Sequence, residues 1–279
     1  MNIPPNRRFQ PGKLLAGAAL LVLAAAFLLP FLWLLATAFK TERQIFSFPP
    51  SLLPSPISLE NFRAALGLMD FPLLLRNSLA VGLLTTTGSV ITSSLIGFGL
   101  ASLPARGKHA IYGLMLATIV IPPAVTIVPQ FVLMSRLGWV NTYLPLVLTP
   151  VFGNVIYILL FRQFFKTLPP ELFESAELEG SSPVSTYLRI GLPLAKPVLI
   201  LVAVFAFIGS WNDFLAPLVY LSTQDRYTLS LGLSFFQSAR QSQLHYLMPV
   251  SFLAVLPIAL LFLFSQRFLD TNVFGRFEL

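Results

Sequence analysis

The sequence predicts an all-α membrane protein with six transmembrane helices, and three observations lead to this fold class. Of the 279 residues, 56% are hydrophobic and 10% are charged, whereas a soluble domain carries about 25% charged residues. Six apolar stretches are long enough to cross a bilayer, which takes about 20 residues. They cover residues 14–36, 75–103, 110–134, 144–164, 197–220 and 246–266. The chain has no cysteine, which excludes disulfides, thiolate metal sites and cysteine nucleophiles.

The basic residues indicate how the chain is oriented. With the N-terminus inside, 11 of the 18 lysines and arginines lie in cytoplasmic segments and 7 lie outside, in agreement with the positive-inside rule. The run 14–36 is too long for a signal-peptide core and has no clear cleavage site, so we expect it to stay as the first helix. Both termini are then expected in the cytoplasm. The net charge of +7 is scattered at helix ends, which favours contact with anionic lipid and not with nucleic acid.

The first external loop, residues 38–74, opens with a run of prolines and is expected to be extended there, since proline blocks a continuous helix. After Ser58 the loop is expected to become helical. In the third span Pro122, Pro123 and Pro129 interrupt the helix, and the fourth span has two prolines near its start. Proline in a membrane helix is tolerated where protein or water satisfies the freed carbonyls. Simple helix kinks and helices that line a translocation path both remain open.

Between the fourth and fifth spans, residues 167–196 are unusually polar and predict two short helices joined at a glycine. Pro169 and Pro170 suit the first positions of a helix, and Gly180 can take the left-handed conformation that stops it. Four glutamates fall within nine residues, namely Glu171, Glu174, Glu177 and Glu179. Ser182 and Pro183 restart a second helix, which is expected to end at Gly191 and Pro193.

The side chains of this elbow, residues 167–196, suggest a docking surface. Phe173, Ala176 and Gly180 form a narrow apolar and small-residue stripe at helical spacing, flanked by acids. A solvated acidic loop is the alternative interpretation. That alternative must also account for two capped helices and a small-residue face, so we favour contact with a soluble partner.

The elbow also carries a long motif. Glu174-Ser175-Ala176, then three residues, Gly180, nine residues, Ile190, one residue and Leu192-Pro193 resemble the EAA loop of type-1 ABC importer permeases. The chain departs from that pattern at Ser175, where the family has alanine. The resemblance implies the type-1 permease fold, with 1–74 as the N-terminal tail, first helix and external loop, and 75–279 as the permease core. In this family the elbow is the coupling helix, which sits in a groove of a cytoplasmic ATPase. The residues carried over as this contact are Phe173, Glu174, Ser175, Ala176 and Gly180.

The fifth span holds Asp213, the acid found inside an apolar run, next to Trp211 and Asn212. Acids in a membrane usually face a cavity or a partner. One interpretation is that Asp213 pairs with an arginine or caps backbone groups. The other is a substrate path, in which Asn212 and Asp213 bind sugar hydroxyls while Trp211 stacks on a ring.

Several further strings resemble the carbohydrate subgroup of the family. They are Ala38-Phe39-Lys40-Thr41, Asn61-Phe62, Arg76-Asn77-Ser78-Leu79, Leu137-Gly138, Asn141-Thr142-Tyr143 and Trp211-Asn212-Asp213-Phe214. The resemblance implies a permease subunit of an ATP-driven, binding-protein-dependent importer in the bacterial inner membrane, for sugars or oligosaccharides. Glycerol-3-phosphate or another small polar solute is the alternative substrate. The implied partners are a second permease, an ATPase dimer and an extracellular solute-binding protein, which the polar loop 221–245 would contact.

Other functions fit the sequence less well. The chain lacks a Gly-rich loop ending in Gly-Lys-Ser or Gly-Lys-Thr, so ATP is expected on the partner ATPase, with no cofactor or metal bound here. His109 and His245 have no partners at catalytic or metal-binding spacing, and both are interpreted as structural. An intramembrane enzyme would have to use Ser234 with His245 in a polar loop. An ion-coupled secondary transporter would show inverted repeats and several buried ionisable groups. The C-terminal tail departs from the Gly-rich tail of the family.

Overall fold

The computed structural model describes residues 11–104, 106–239 and 244–269, and every regular element in these ranges is a helix. The α-helices are α1 (Pro11–Ala38), α2 (Glu42–Ile45), α3 (Glu60–Leu68), α4 (Phe71–Ser102), α5 (Lys108–Ile119), α6 (Pro123–Arg136), α7 (Leu144–Val151), α8 (Val155–Thr167), α9 (Glu171–Leu178), α10 (Pro183–Thr186), α11 (Leu192–Leu194), α12 (Lys196–Asn212), α13 (Leu215–Tyr220), α14 (Leu229–Ala239) and α15 (Leu244–Leu269). A π-helical turn, Tyr187–Gly191, joins α10 to α11, and Gln224–Arg226 forms a 3₁₀ turn.

The described helices fit the predicted all-α membrane class. Four are long and apolar enough to cross a membrane, and there are up to six spans if each of two bent helix pairs counts as one, by length and composition. The four are Leu15–Ala38, Phe71–Ser102, Leu144–Thr167 and His245–Gln266.

The third span is not the single helix over 110–134 that the apolar run predicts. It consists of α5 and α6, which are bent by 103° relative to one another. Pro122 and Pro123 stand at the bend. A proline disfavours helical backbone in the residue before it and supplies no N–H, so two in succession break the helix. The prolines were recognised in the sequence, but the size of the bend was not.

The chain divides into two compact units, and the first comprises Met1–Met69 and Ala239–Ala254. In its described part, the ring of Phe39 lies 5.1 Å from that of Phe62 and 6.3 Å from that of Phe252. The Asn61 amide donates to the carbonyl of Lys40 at 2.8 Å. The helix expected after Ser58 is present as α3, whose first residue donates its N–H to the Ser58 hydroxyl.

The second unit comprises Asp70–Ser238 and Val255–Leu279, and α4 is its central helix. Helix α4 packs against α7, α8 and α12. Glycines on α4 permit these contacts, since a β-carbon at Gly97 would lie 2.6 Å from Cβ of Phe161 on α8, and one at Gly88 would lie 2.4 Å from Cγ2 of Val151 on α7. Small residues that allow close backbone approach are the usual means of packing membrane helices.

Candidate functional site

Helix α9, the first helix of the elbow, begins and ends as its sequence predicts. It starts directly after Pro170, and the N–H of Phe173 donates to the Pro170 carbonyl at 2.9 Å. At its end Gly180 has φ +78°. The N–H of Ser181 donates to the carbonyl of Ala176, and that of Gly180 donates to the carbonyl of Glu177, both at 2.9 Å. This pair of bonds is the Schellman motif, which requires a left-handed residue at the position of Gly180.

The second helix of the elbow begins as predicted but continues further. The Ser182 hydroxyl accepts the N–H of Ser185 at 3.3 Å, and Pro183 occupies the first helical position. The predicted end at Gly191 and Pro193 is wrong, because the helix runs on through the π-helical turn to Leu194. In this turn Leu192 donates to the carbonyl of Tyr187, five residues earlier. The wider turn accommodates Pro193, which has no N–H to donate.

One face of the elbow packs onto the helices of the second unit. Ala176 is 7% exposed, and the ring of Phe173 lies 5.7 Å from the ring of Phe98 on α4. Tyr187 lies 5.4 Å from the same ring, and its hydroxyl is 2.7 Å from the hydroxyl of Ser94. The buried residues of this cluster are Phe98, Phe161, Phe164, Phe165, Leu168, Tyr187, Ala195, Val198 and Val202. The elbow is therefore anchored through its aromatic side chains to α4 and α8.

The opposite face of the elbow is exposed. Glu174, Ser175 and Gly180 lie on it. The hydroxyl of Ser175 donates to the carbonyl of Glu171 at 2.7 Å, so it is used inside the helix and adds little bulk over the alanine of the family pattern. Of the five predicted contact residues, three thus face outward, while Phe173 and Ala176 face the protein.

The exposed face also carries an apolar residue that sequence reasoning missed. The side chain of Leu178 is 90% exposed at the end of α9. It stands two positions after Ala176, which on a helix places it about 200° away from the buried stripe. That offset was visible in the sequence, but it becomes informative only once the buried face is known. Further exposed apolar residues on the elbow are Leu172, Val184 and Leu188.

The three residues of the predicted substrate path have different surroundings. Trp211 is 5% exposed and its ring stacks on Phe207 at 5.4 Å. The Asn212 amide donates to the carbonyl of Ile208 at 2.9 Å. Asp213 lines a cavity of about 180 Å³ between α4, α7, α8 and α12. Asp213 therefore lies at the cavity, and Trp211 and Asn212 are not among its lining residues.

Two helix breaks meet at this cavity. The fourth span is interrupted between α7 and α8, where the Asn154 side chain accepts the N–H of Tyr157 at 3.3 Å. The fifth span is interrupted after α12, where the Asp213 carboxylate accepts the N–H of Ala216 at 3.2 Å. Asn154 and Asp213 both line the cavity. Backbone capping by Asp213 was one of the two expected roles, and its breaking of the fifth span was not foreseen.

At the end of α4 that lies away from the elbow, three amide and hydroxyl side chains hold the segment 221–229. Asn77 donates to the carbonyls of Asp225 and Tyr227 at 2.9 and 3.0 Å, and the Ser78 hydroxyl accepts the N–H of Leu229 at 2.7 Å. This segment is the described start of the predicted polar external loop. Residues 240–243 of that loop, and the C-terminal tail after residue 269, lie outside the described residues.

Comparison with known proteins identifies the family. Residues 89–274 match the family described as binding-protein-dependent transport system inner membrane component. The chain is 31% identical over 259 residues to the arabinooligosaccharides transport system permease protein AraQ of Halalkalibacterium halodurans, covering 90% of each chain. It is 28% identical to the trehalose/maltose transport system permease protein MalG of Thermococcus litoralis, covering 93% of this chain and 94% of that one.

A solved structure supports the fold independently. A chain of a bacterial ABC transporter involved in the import of the acidic polysaccharide alginate superposes with a TM-score of 0.82 at 18% identity, over 95% of this chain and 99% of that chain. At this identity the likeness concerns the fold, which is that of a type-1 importer permease. With the family match spanning 89–274, this chain belongs to the inner-membrane permease components of binding-protein-dependent ABC importers.

Proposed function

We propose that this chain imports a neutral sugar or oligosaccharide together with a second permease, and that its elbow couples transport to a separate cytoplasmic ATPase. The observation that carries the coupling role is the two-faced elbow. One face is packed on α4 and α8 through Phe173 and Tyr187. The other presents glutamates and the exposed Leu178, and no other described part of the chain packs against it.

The exposed face suits a protein groove. An apolar side chain that is 90% exposed is stabilised when a partner removes it from water. The four glutamates of the elbow are exposed and make no ion pair with any residue in the described ranges. They would complement a groove with basic residues at its rim, which favours encounter and fixes orientation. Within this arrangement Glu174, Ser175 and Gly180 contact the ATPase, while Phe173 and Ala176 hold the elbow in place.

The proposed movement follows from the same geometry. A partner can shift the balance between two states of the permease only if it binds them with different affinity. An ATPase that changes shape with nucleotide would pull on the exposed face, and the aromatic anchor would pass this displacement to α4. Receptor and ATP thereby act on one permease from its two ends.

The sugar class rests on the relatives. Proteins similar to this chain are named for arabinooligosaccharide, lactose, diacetylchitobiose and trehalose/maltose transport. To test the class, the complete complex is reconstituted in liposomes with its receptor, and uptake of arabinobiose, lactose, trehalose, maltose and glycerol-3-phosphate is measured one at a time. ATP-dependent uptake of at least one neutral sugar is expected. Uptake that follows an ion gradient, or uptake of glycerol-3-phosphate alone, would overturn the proposal.

The docking face is tested by site-directed cross-linking, which is simple because the chain has no native cysteine. With Ser175→Cys in the assembled complex, a short thiol-reactive cross-linker is expected to join this chain to the ATPase. The matched control is Leu53→Cys, at a residue that is also exposed but lies in the first loop. If both positions cross-link to the ATPase equally, or neither does, the elbow is not the docking face.

A further inference from the structure

We propose that the cavity between α4, α7, α8 and α12 is a binding site in this chain for the hydroxyl groups of one ring of a neutral sugar. This inference rests on the proposed function and narrows it, because it places a sugar contact in this permease. It also excludes phosphate esters from that contact.

The first argument is the meeting of two broken helices. Helix α7 ends at Val151 and α8 begins at Val155, inside the candidate span Leu144–Thr167. Backbone that leaves the helical conformation at membrane depth is tolerated where it is buried in protein or lines a water-filled cavity. Here the break in the fourth span and the break after Asn212 lead to the same cavity. Two independent interruptions at one point indicate a polar interior that the helices are built around.

The second argument is a buried hydroxyl that lines the cavity. Ser89 on α4 is 0% exposed, and its Oγ has no hydrogen-bond partner. Buried polar groups in native proteins are nearly always hydrogen-bonded, so such an atom requires an explanation. Because Ser89 lines the cavity, a guest with hydroxyl groups can satisfy it.

The third argument is the chemistry of the lining. Thr85 and Ser89 supply hydroxyls, Tyr157 a phenol, Asn154 an amide and Asp213 a carboxyl group, and the remaining lining is largely apolar. Hydroxyl, amide and carboxyl groups together donate to and accept from a sugar. No lysine or arginine is among the lining residues, whereas a phosphate is usually held by charge-assisted hydrogen bonds from such cations. The guest is therefore a neutral polyol and not a phosphate ester.

The size of the cavity limits the guest. Its volume of about 180 Å³ exceeds the roughly 30 Å³ that one water molecule occupies. It is below the range of about 300–1,000 Å³ that is usual for sites enclosing a whole drug-sized ligand. A single sugar ring, with the rest of an oligosaccharide outside, fits this space.

The test uses two serines of α4 that stand one turn apart. Ser93 is 1% exposed and its Oγ also has no partner, but Ser93 does not line the cavity. Ser89→Cys and Ser93→Cys are each introduced into the full complex with its receptor, and modification by a small methanethiosulfonate is followed by mass spectrometry of this chain. The probe is whichever of arabinobiose, lactose, trehalose or maltose the wild-type complex imports.

We expect the cysteine at position 89 to react and the one at position 93 to remain unmodified. At a sugar concentration about ten times the dissociation constant, mass action slows the reaction at position 89 about tenfold. Equal rates with and without the imported sugar mean that the cavity holds water only, and they overturn the inference. So does a failure of position 89 to react at all.

A second variant keeps the test informative if Ser89→Cys does not assemble. In Asp213→Asn the amide oxygen can still accept the N–H of Ala216, so the cap of α13 is retained while the charge is lost. The sugar concentration for half-maximal uptake is expected to rise about tenfold, as for loss of one hydrogen bond to a charged group. An unchanged half-saturation contradicts the inference. Wild-type uptake decides the proposed function separately, because it depends on neither variant.

Discussion

The hydroxyl of Tyr187 in the elbow lies 2.7 Å from the hydroxyl of Ser94, midway between the last two turns of α4 and its polar centre. Ser94 itself donates to the carbonyl of Ile91 at 3.0 Å. Because a serine hydroxyl has one proton, Tyr187 is the donor in the bond between them. This bond is buried, and it joins the elbow directly to the central helix of the second unit.

Removing this bond is expected to weaken coupling. Tyr187→Phe keeps the ring against Phe98 and deletes the donor, and the net cost of one hydrogen bond is about 0.5–1.5 kcal/mol. Ser94 keeps its bond to Ile91, so the fold should remain. We expect fewer sugar molecules imported per ATP hydrolysed, measured as the ratio of uptake to ATPase rate in proteoliposomes.

The double variant provides the control for this prediction. Ser94→Ala should reduce the same ratio, and combining it with Tyr187→Phe should add little, because residues in direct contact are not independent. Fully additive effects of the two substitutions would show that the bond is not the link between the elbow and α4.

Gly180 should tolerate asparagine better than alanine. Its φ of +78° costs a residue with a β-carbon roughly 1–2 kcal/mol, and asparagine visits this conformation more readily than most residues. No atom lies within 4 Å of a β-carbon built here, so the penalty is one of backbone conformation and not of space. Uptake should follow the order glycine, asparagine, alanine. Sugar binding to the isolated receptor should be the same in all three preparations, and the reverse order would contradict a left-handed requirement.

The contrast between elbow and cavity indicates what the sequence could reveal. The caps at Gly180 and Ser182 follow from residues within a few positions, so the sequence predicted both helix starts and the stop after α9. The π-helical turn depends on how Tyr187 reaches Ser94 about ninety residues earlier and was missed. The break after Asn212 was missed for a related reason. An apolar run identifies a membrane span, but it does not reveal that Asp213 caps a new helix inside it.

The same limit applies to the predicted site residues. The sequence motif selected Phe173 and Ala176 together with Glu174, Ser175 and Gly180, because small and apolar residues at helical spacing predict a face without saying what covers it. The described structure places the first two against α4. It leaves the other three exposed beside Leu178.

Leu178 should contribute to assembly without contributing to the fold of this chain. Burying an exposed leucine is worth about 1.5–3 kcal/mol, so Leu178→Ser is expected to weaken binding of the ATPase about 10- to 100-fold. Titration of the ATPase against the permease dimer in nanodiscs measures this. Leu53→Ser is the matched control, since Leu53 is 75% exposed in the first loop and should leave the affinity unchanged. Wild-type affinity in Leu178→Ser would exclude Leu178 from the interface.

Gly97 should be intolerant of even one added carbon. A β-carbon there would lie 2.6 Å from Cβ of Phe161 and 2.9 Å from the backbone N of Arg162, and backbone cannot rotate away as a flexible side chain can. Overpacking of this kind costs about 1–3 kcal/mol, so Gly97→Ala should lower the melting temperature of the purified complex.

Gly113 on α5 offers the comparison. It has nothing within 4 Å of a built β-carbon, and replacing a helical glycine with alanine usually stabilises by about 0.5–1 kcal/mol. Gly113→Ala should therefore leave the melting temperature unchanged or raise it. Equal destabilisation by both substitutions would mean that the closeness of α4 and α8 is not the cause.

The glycine contacts of α4 have a consequence for the transport cycle. A helix fitted to its neighbours at Gly88 and Gly97 cannot slip along them by a residue without driving those backbones apart. A pull on the elbow should then turn α4, α7, α8 and α12 as one solid lever. The compliant points should lie elsewhere in the second unit, and the right-angled corner between α5 and α6 is the natural fulcrum.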